Sequence, residues 1–108
     1  MSFEVFLTKD AERDLEELYS HILLHDSPEK AVYVLDSIEE AFFSLNENPE
    51  RGAYPGELLA LGIREYREVF FKPYRILFKV ISDRVYVVLI ADGRRDMQTL
   101  LQRRLLEG

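Results

Sequence analysis

The sequence predicts an α+β fold in the order β-α-α-β-β-β. A helical hairpin lies on one face of an antiparallel meander sheet, and a short C-terminal helix is possible. Three observations carry this expectation. Apolar residues recur at helical spacing from Ala11 to Leu45. The period changes to two from Arg67 onward. Between these regimes, Pro49, Gly52, Pro55, Gly56 and Gly62 punctuate a connector.

Phe3, Val5 and Leu7 alternate along a short first strand. Thr8 can then cap a helix whose stripe is Ala11, Leu15, Leu18 and Ile22, widened by Tyr19 and Leu23. Asp10, Glu12, Asp14, Glu16 and Glu17 fall early in it, where the helix dipole favours anions, and read as a solvated face. Ser27 is a good N-cap and Pro28 a good first residue for a second helix, with Ala31, Leu35, Ile38, Phe42 and Leu45 on one stripe. Pro49 ends it, because a proline disfavours helix at the residue before it. The short loop between the helices makes them an antiparallel hairpin.

"REVFF", "YRILFKVI" and "VYVVLIA" then read as three strands, turning at Lys72-Pro73 and Ser82-Asp83. In the middle strand Tyr74, Ile76, Phe78 and Val80 share one face, and Arg75, Leu77, Lys79 and Ile81 the other. Phe42, Phe43, Phe70, Phe71 and Phe78 are expected to be core. Residues 96–106 can form a helix capped by Asp96, with Met97, Leu100, Leu101 and Leu105 on its apolar side. That stripe predicts docking, either on the chain's own sheet or on a partner. Arg103 and Arg104 would face water or an acidic partner.

The chain has 108 residues, enough for a single domain over 1–108. It has no cysteine, which excludes disulfides, thiolate metal sites and a cysteine nucleophile and suits a reducing, cytoplasmic compartment. No apolar run approaches the roughly 20 residues of a membrane span. The N-terminal stretch is too acidic and too patchy for a signal peptide. The net charge of −6 hides an asymmetry. Residues 1–62 hold fourteen acidic and four basic side chains, a net of −10; residues 63–108 hold six and ten, a net of +4. One basic face could therefore meet an acidic partner.

His21 and His25 lie one helical turn apart, a spacing that can bind a metal, but no H-E-x-x-H pattern surrounds them and a structural role is expected. No phosphate-binding glycine loop occurs, so neither a cofactor nor a metal is expected. The arginines are more informative. Strand register decides whether Arg67, Arg75 and Arg95 meet on one side of the sheet. Such a cluster can grip a phosphate through paired hydrogen bonds. The alternative is ion pairing with Glu65, Glu68, Asp92 or Asp96.

"TKDAERDLEELYSHI", "SPEKAVYVLDSIEEAFFSLNENPERG", "YRILFKV" and "IADGRRD" together resemble the RelE/ParE superfamily of type II toxins, also called plasmid-stabilisation proteins. The resemblance covers most of the chain. It implies the fold already read from periodicity and a small antitoxin as partner, with operator DNA reached only through that antitoxin. RelE-like members cleave mRNA on the ribosome, and ParE-like members trap DNA gyrase. In the nuclease case the resemblance makes Arg75 and Arg95, with Lys72, the catalytic residues. Partner and target contacts would fall to Arg67, Arg75, Arg94, Arg95, Arg103 and Arg104. The acid–base half of a nuclease site is missing: no Tyr or His follows Val88, and Asp92 stands where many members have His before G-R-R-D. Leu100 or Leu101 falls where a RelE-like tyrosine is expected. Helices of about eighteen and about twenty residues also look ParE-like. The resemblance thus favours a gyrase-directed toxin over a ribosome-dependent endoribonuclease or an inactive antitoxin-binding co-repressor.

Overall fold

The hydroxyls of Thr8 and Ser27 end extended segments and start helices. In the computed structural model, which describes residues 2–107, Thr8 Oγ1 accepts from the Ala11 N–H at 3.2 Å. Ser27 Oγ accepts from the Lys30 N–H at 3.1 Å. Each bond satisfies a donor that a first helical turn leaves free. They open α1 (Lys9–His25) and α2 (Pro28–Phe43), of 17 and 16 residues. The first matches the length the periodicity suggests, and the second is shorter. The second tightens into a 3-10 turn at Ser44–Asn46, three residues before Pro49.

The strands are β1 (Glu4–Leu7), β2 (Arg67–Phe71), β3 (Tyr74–Ile81) and β4 (Arg84–Asp92), in the sheet order β1-β4-β3-β2. The last three form the expected antiparallel meander. β1 joins on the far side of β4 and runs parallel to it, Leu7 opposite Val87. Both faces of the sheet are covered. Ala11, Leu15, Ile22, Ala31, Ile38 and Phe42 of the hairpin pack on Val69, Ile76, Phe78, Val85, Val87 and Ile90. On the opposite face Leu77, Val88, Leu89 and Ala91 carry α4 (Met97–Leu101) through Met97, Leu100 and Leu101, and α3 (Gly56–Leu59) through Leu58. The C-terminal apolar stripe is therefore docked on the chain's own sheet. Asp96 caps α4, accepting from the Thr99 N–H at 3.2 Å, and the helix continues as a π-type turn at Gln102–Leu106. α3 lies inside the stretch read as a plain connector; its apolar run is too short for periodicity to register.

A bulge breaks the strict alternation of β4. Leu77 pairs with Leu89 but Phe78 with Val87, so Val88 is the extra residue. Val88 and Leu89 then both turn toward α4, two consecutive side chains on one face. Two expected core residues are instead surface: Phe43 is 52% and Phe70 49% exposed. Phe43 lies at the end of α2, off its buried stripe, and Phe70 on an edge strand beyond the reach of α4. Val80 and Ile81 are likewise exposed, because neither layer extends over the β3–β4 turn.

Asp14 and Arg104 finish the exposed edge of β4. β1 ends at Leu7, so β4 has no strand neighbour beyond Val87 on that side. Asp14 Oδ2 accepts the Ile90 N–H at 3.1 Å, and Arg104 Nη2 donates to the Val88 carbonyl at 3.2 Å. The two side chains pair with each other through bonds of 2.8 and 3.0 Å. An ion pair thus replaces the ladder that a longer first strand would supply.

Candidate functional site

Arg67, Arg75 and Arg95 do not converge, and register is the reason. Arg67 pairs opposite Phe78, which faces the helical hairpin, while Arg75 pairs opposite Ala91, which faces α3 and α4. Two arginines on opposite faces of a sheet cannot share a phosphate. Arg67 straps the connector to β2. Its guanidinium donates to the Gly52 carbonyl at 2.9 Å and to the Tyr54 hydroxyl at 3.1 Å, and stacks 4.5 Å over the Tyr54 ring.

Arg75 is occupied on both sides of its fork. Nε and Nη2 donate to the Glu68 carboxylate at 2.7 and 3.1 Å. Nη1 and Nη2 donate to the Glu57 carboxylate at 2.7 and 2.8 Å. The Arg75 side chain is 13% exposed and that of Glu68 5%. The Glu57 hydrogen bond leads in holding the guanidinium above its ordinary pKa. The Arg75 hydrogen bond in turn holds Glu57 below the usual carboxylate value. The site is a strut between β2, β3 and α3. Gly93 belongs to it: a Cβ there would stand 2.8 Å from Arg75 Cδ and 3.0 Å from the Pro73 carbonyl oxygen. The glycine of "DGRRD" leaves room for the stem of Arg75.

Arg94 and Arg95, adjacent in sequence, have different fates. Arg94 folds back on Asp92, with bonds of 3.0 Å from Nε and 2.7 Å from Nη2, and its hydrogen bond keeps that carboxylate below its ordinary pKa. Among the described residues Arg95, Arg103 and Lys72 are exposed and in no salt bridge. Arg104, expected to face water or an acidic partner, turns inward to Asp14, whose hydrogen bond raises its pKa. Of the basic residues singled out by sequence, Lys72, Arg95 and Arg103 are exposed without a salt bridge among the described residues, while Arg67 is held only by neutral groups.

A concavity of about 540 Å³ lies between the C-terminal half of α1 and the end of β4. Arg95, Lys30, Tyr74, His21 and His25 line it, with Asp92–Arg94 at one end. Burial leads in raising the Tyr74 hydroxyl above its ordinary pKa. Arg75 is not among the lining residues, because it lies on the other face of the sheet. Sequence reasoning missed Glu57 and Asp14 as partners. Glu57 sits in a connector without period, and Asp14 finds its arginine 90 positions away. Neither distance leaves a local signal.

A two-helix hairpin on a four-stranded sheet, closed on the other face by a C-terminal helix, is the α+β fold that the resemblance implied, and comparison with known proteins agrees. The family model for the ParE toxin of the type II toxin–antitoxin system parDE matches residues 5–97. The chain belongs to this family, within the RelE/ParE superfamily. Solved structures share the fold. A chromosomal ParDE toxin–antitoxin system from P. aeruginosa aligns with a TM-score of 0.71 at 23% identity, over 84% of this chain and 96% of that one. The RelBE2 toxin–antitoxin complex of Mycobacterium tuberculosis aligns at 0.60 and 20%, over 85% and 99%. A double arginine-to-alanine mutant of E. coli RelE in the free state aligns at 0.64 and 12%, over 99% and 97%. Sequence comparison with curated proteins gives no significant match.

Proposed function

We propose that this type II toxin acts by binding DNA gyrase, and that a cognate antitoxin neutralises it. The commitment of Arg75 carries this reading. A guanidinium held by two carboxylates faces a net negative pair, which repels a phosphodiester and offers it no free donor fork. Arg95, the other arginine a nuclease would use, stands at a different cleft. The place of an acid–base aromatic falls to Leu100 or Leu101 of α4, both buried against the sheet. The two carboxylates on that face, Glu57 and Glu68, are both held by Arg75 rather than free for proton transfer.

Lys72, Arg95 and Arg103 remain as free cations for target and antitoxin contacts. The antitoxin is assigned by analogy with the ParDE and RelBE2 systems. A trough of about 330 Å³ between α2 and β2, floored by Phe70, Phe71 and Ala41 with Arg51 at its side, suits a segment with apolar and acidic side chains. Purified toxin added to gyrase should stop supercoiling or trap cleaved DNA. The same protein should leave message intact in a reconstituted translation system. Unimpaired supercoiling at excess toxin contradicts the proposal; cut message establishes the nuclease reading in its place. If neither occurs, the chain is an antitoxin-binding co-repressor.

A further inference from the structure

Across the cleft from Arg95, the last two turns of α1 carry His21 and His25. Both are exposed and line the cleft. Their ring centroids are 4.3 Å apart and the planes lie 25° from parallel. Nδ1 of His25 stands 2.9 Å from the His21 carbonyl oxygen. That oxygen only accepts, so Nδ1 is the donor, and in the neutral ring Nε2 is then the nitrogen left with a lone pair for a metal. One ring nitrogen donating to a backbone carbonyl while the other is bare is the arrangement that metal-bound imidazoles adopt. Spacing alone did not call for a metal here; this hydrogen bond supplies what spacing lacked.

We propose that His21 and His25 form a divalent transition-metal site, of the kind zinc occupies, at the C-terminal end of α1. The charge around them favours a cation in two ways. The negative end of the helix dipole lies at this terminus. Glu17, one turn before His21, and Asp26, next to His25, both line the cleft, and among the described residues neither is in a salt bridge. Lys30, Arg94 and Arg95, which also line the cleft, oppose it. Arg94 is neutralised by Asp92, and Lys30 and Arg95 are exposed, so solvent screens their charges.

Among the described residues no group of three or more His, Cys, Asp or Glu is arranged to enclose an ion. The site is therefore an open one: two imidazoles, with water or a neighbouring carboxylate completing the shell. A tetrahedral ion at about 2.0–2.1 Å from each nitrogen needs those nitrogens about 3.3 Å apart. Exposed rings already stacked one turn apart reach that by turning about their side-chain bonds. Both ligands come from one helix, so the ion clips the last two turns of α1 together.

Zinc chloride titrated into the full-length, untagged chain at neutral pH tests this. Calorimetry should show one ion per chain in the micromolar range, and zinc should raise Tm. His21→Ala and His25→Ala should each weaken binding at least about tenfold and abolish the zinc-dependent rise in Tm. Circular dichroism and zinc-free Tm of the variants separate lost ligation from lost folding; both should match the wild type, since the two rings are exposed. Absence of saturable binding by the wild type overturns the proposal. So does undiminished binding by the double variant.

Discussion

Arg75 shows how far a residue's role depends on what faces it. By sequence it is either a phosphate-binding arginine or an ion-pair partner of a nearby carboxylate such as Glu68; by geometry it is a tie between Glu57 and Glu68. Removing it leaves Glu68 buried without a counter-charge, the costly half of breaking a buried pair. Arg75→Met should therefore lower stability by about 3 kcal/mol, read from the urea midpoint. A change below about 0.5 kcal/mol, the size of an ordinary surface substitution, would show that the strut carries no weight. Glu57 adds a pH dependence. Its folded-state pKa lies below the ordinary 4.5, chiefly through the Arg75 hydrogen bond. Its contribution is complete above that ordinary value and is lost as pH falls through the depressed one. Glu57→Gln should accordingly lose less stability than the wild type on acidification; equal losses would mean that Glu57 is not held this way. Gly93 is read at the same scale. Gly93→Ala drives a methyl into Arg75 Cδ and the Pro73 carbonyl and should cost about 1–3 kcal/mol, measured by thermal unfolding.

The helices and the meander were legible as elements because their signals are local. Thr8, Ser27 and Asp96 all cap where their spacing says they should. The parallel contact of β1 with β4, and the bulge at Val88, were not legible. Pairing a strand at Glu4–Leu7 with one at Arg84 onward depends on everything folded between them. The C-terminal helix shows the same division. Its apolar stripe predicted docking, but its anchor, Arg104 on Asp14, joins residues 90 apart. Arg104→Met removes the donor to the Val88 carbonyl and leaves Asp14, itself largely buried, without its cation. Hydrogen exchange should then quicken at Leu100 and Leu101 on α4, and at Ile90 on β4. Exchange unchanged at these amides would mean that Leu100 and Leu101 hold the helix unaided.

At the scale of the whole molecule, the charge asymmetry acquires a second meaning. The acidic first half and basic second half meet inside the protein, Asp14 with Arg104 and Glu57 with Arg75. Part of what reads as a basic docking face is thus internal cement. The candidate site was legible only as a set of arginines. Sequence supplied their identities and the family resemblance, but not their faces, because one residue of register moves a side chain across the sheet. Of the basic residues that sequence singled out, Lys72, Arg95 and Arg103 stay exposed and in no salt bridge among the described residues, beside the exposed aromatics of α2 and β2. That inventory suits binding rather than phosphodiester chemistry. Expression of the toxin alone in growing cells tests this most directly, with the DNA-damage response read against the integrity of translated message. The account predicts growth arrest with an induced DNA-damage response and intact message. Arrest with message cut on ribosomes and no DNA damage would contradict it.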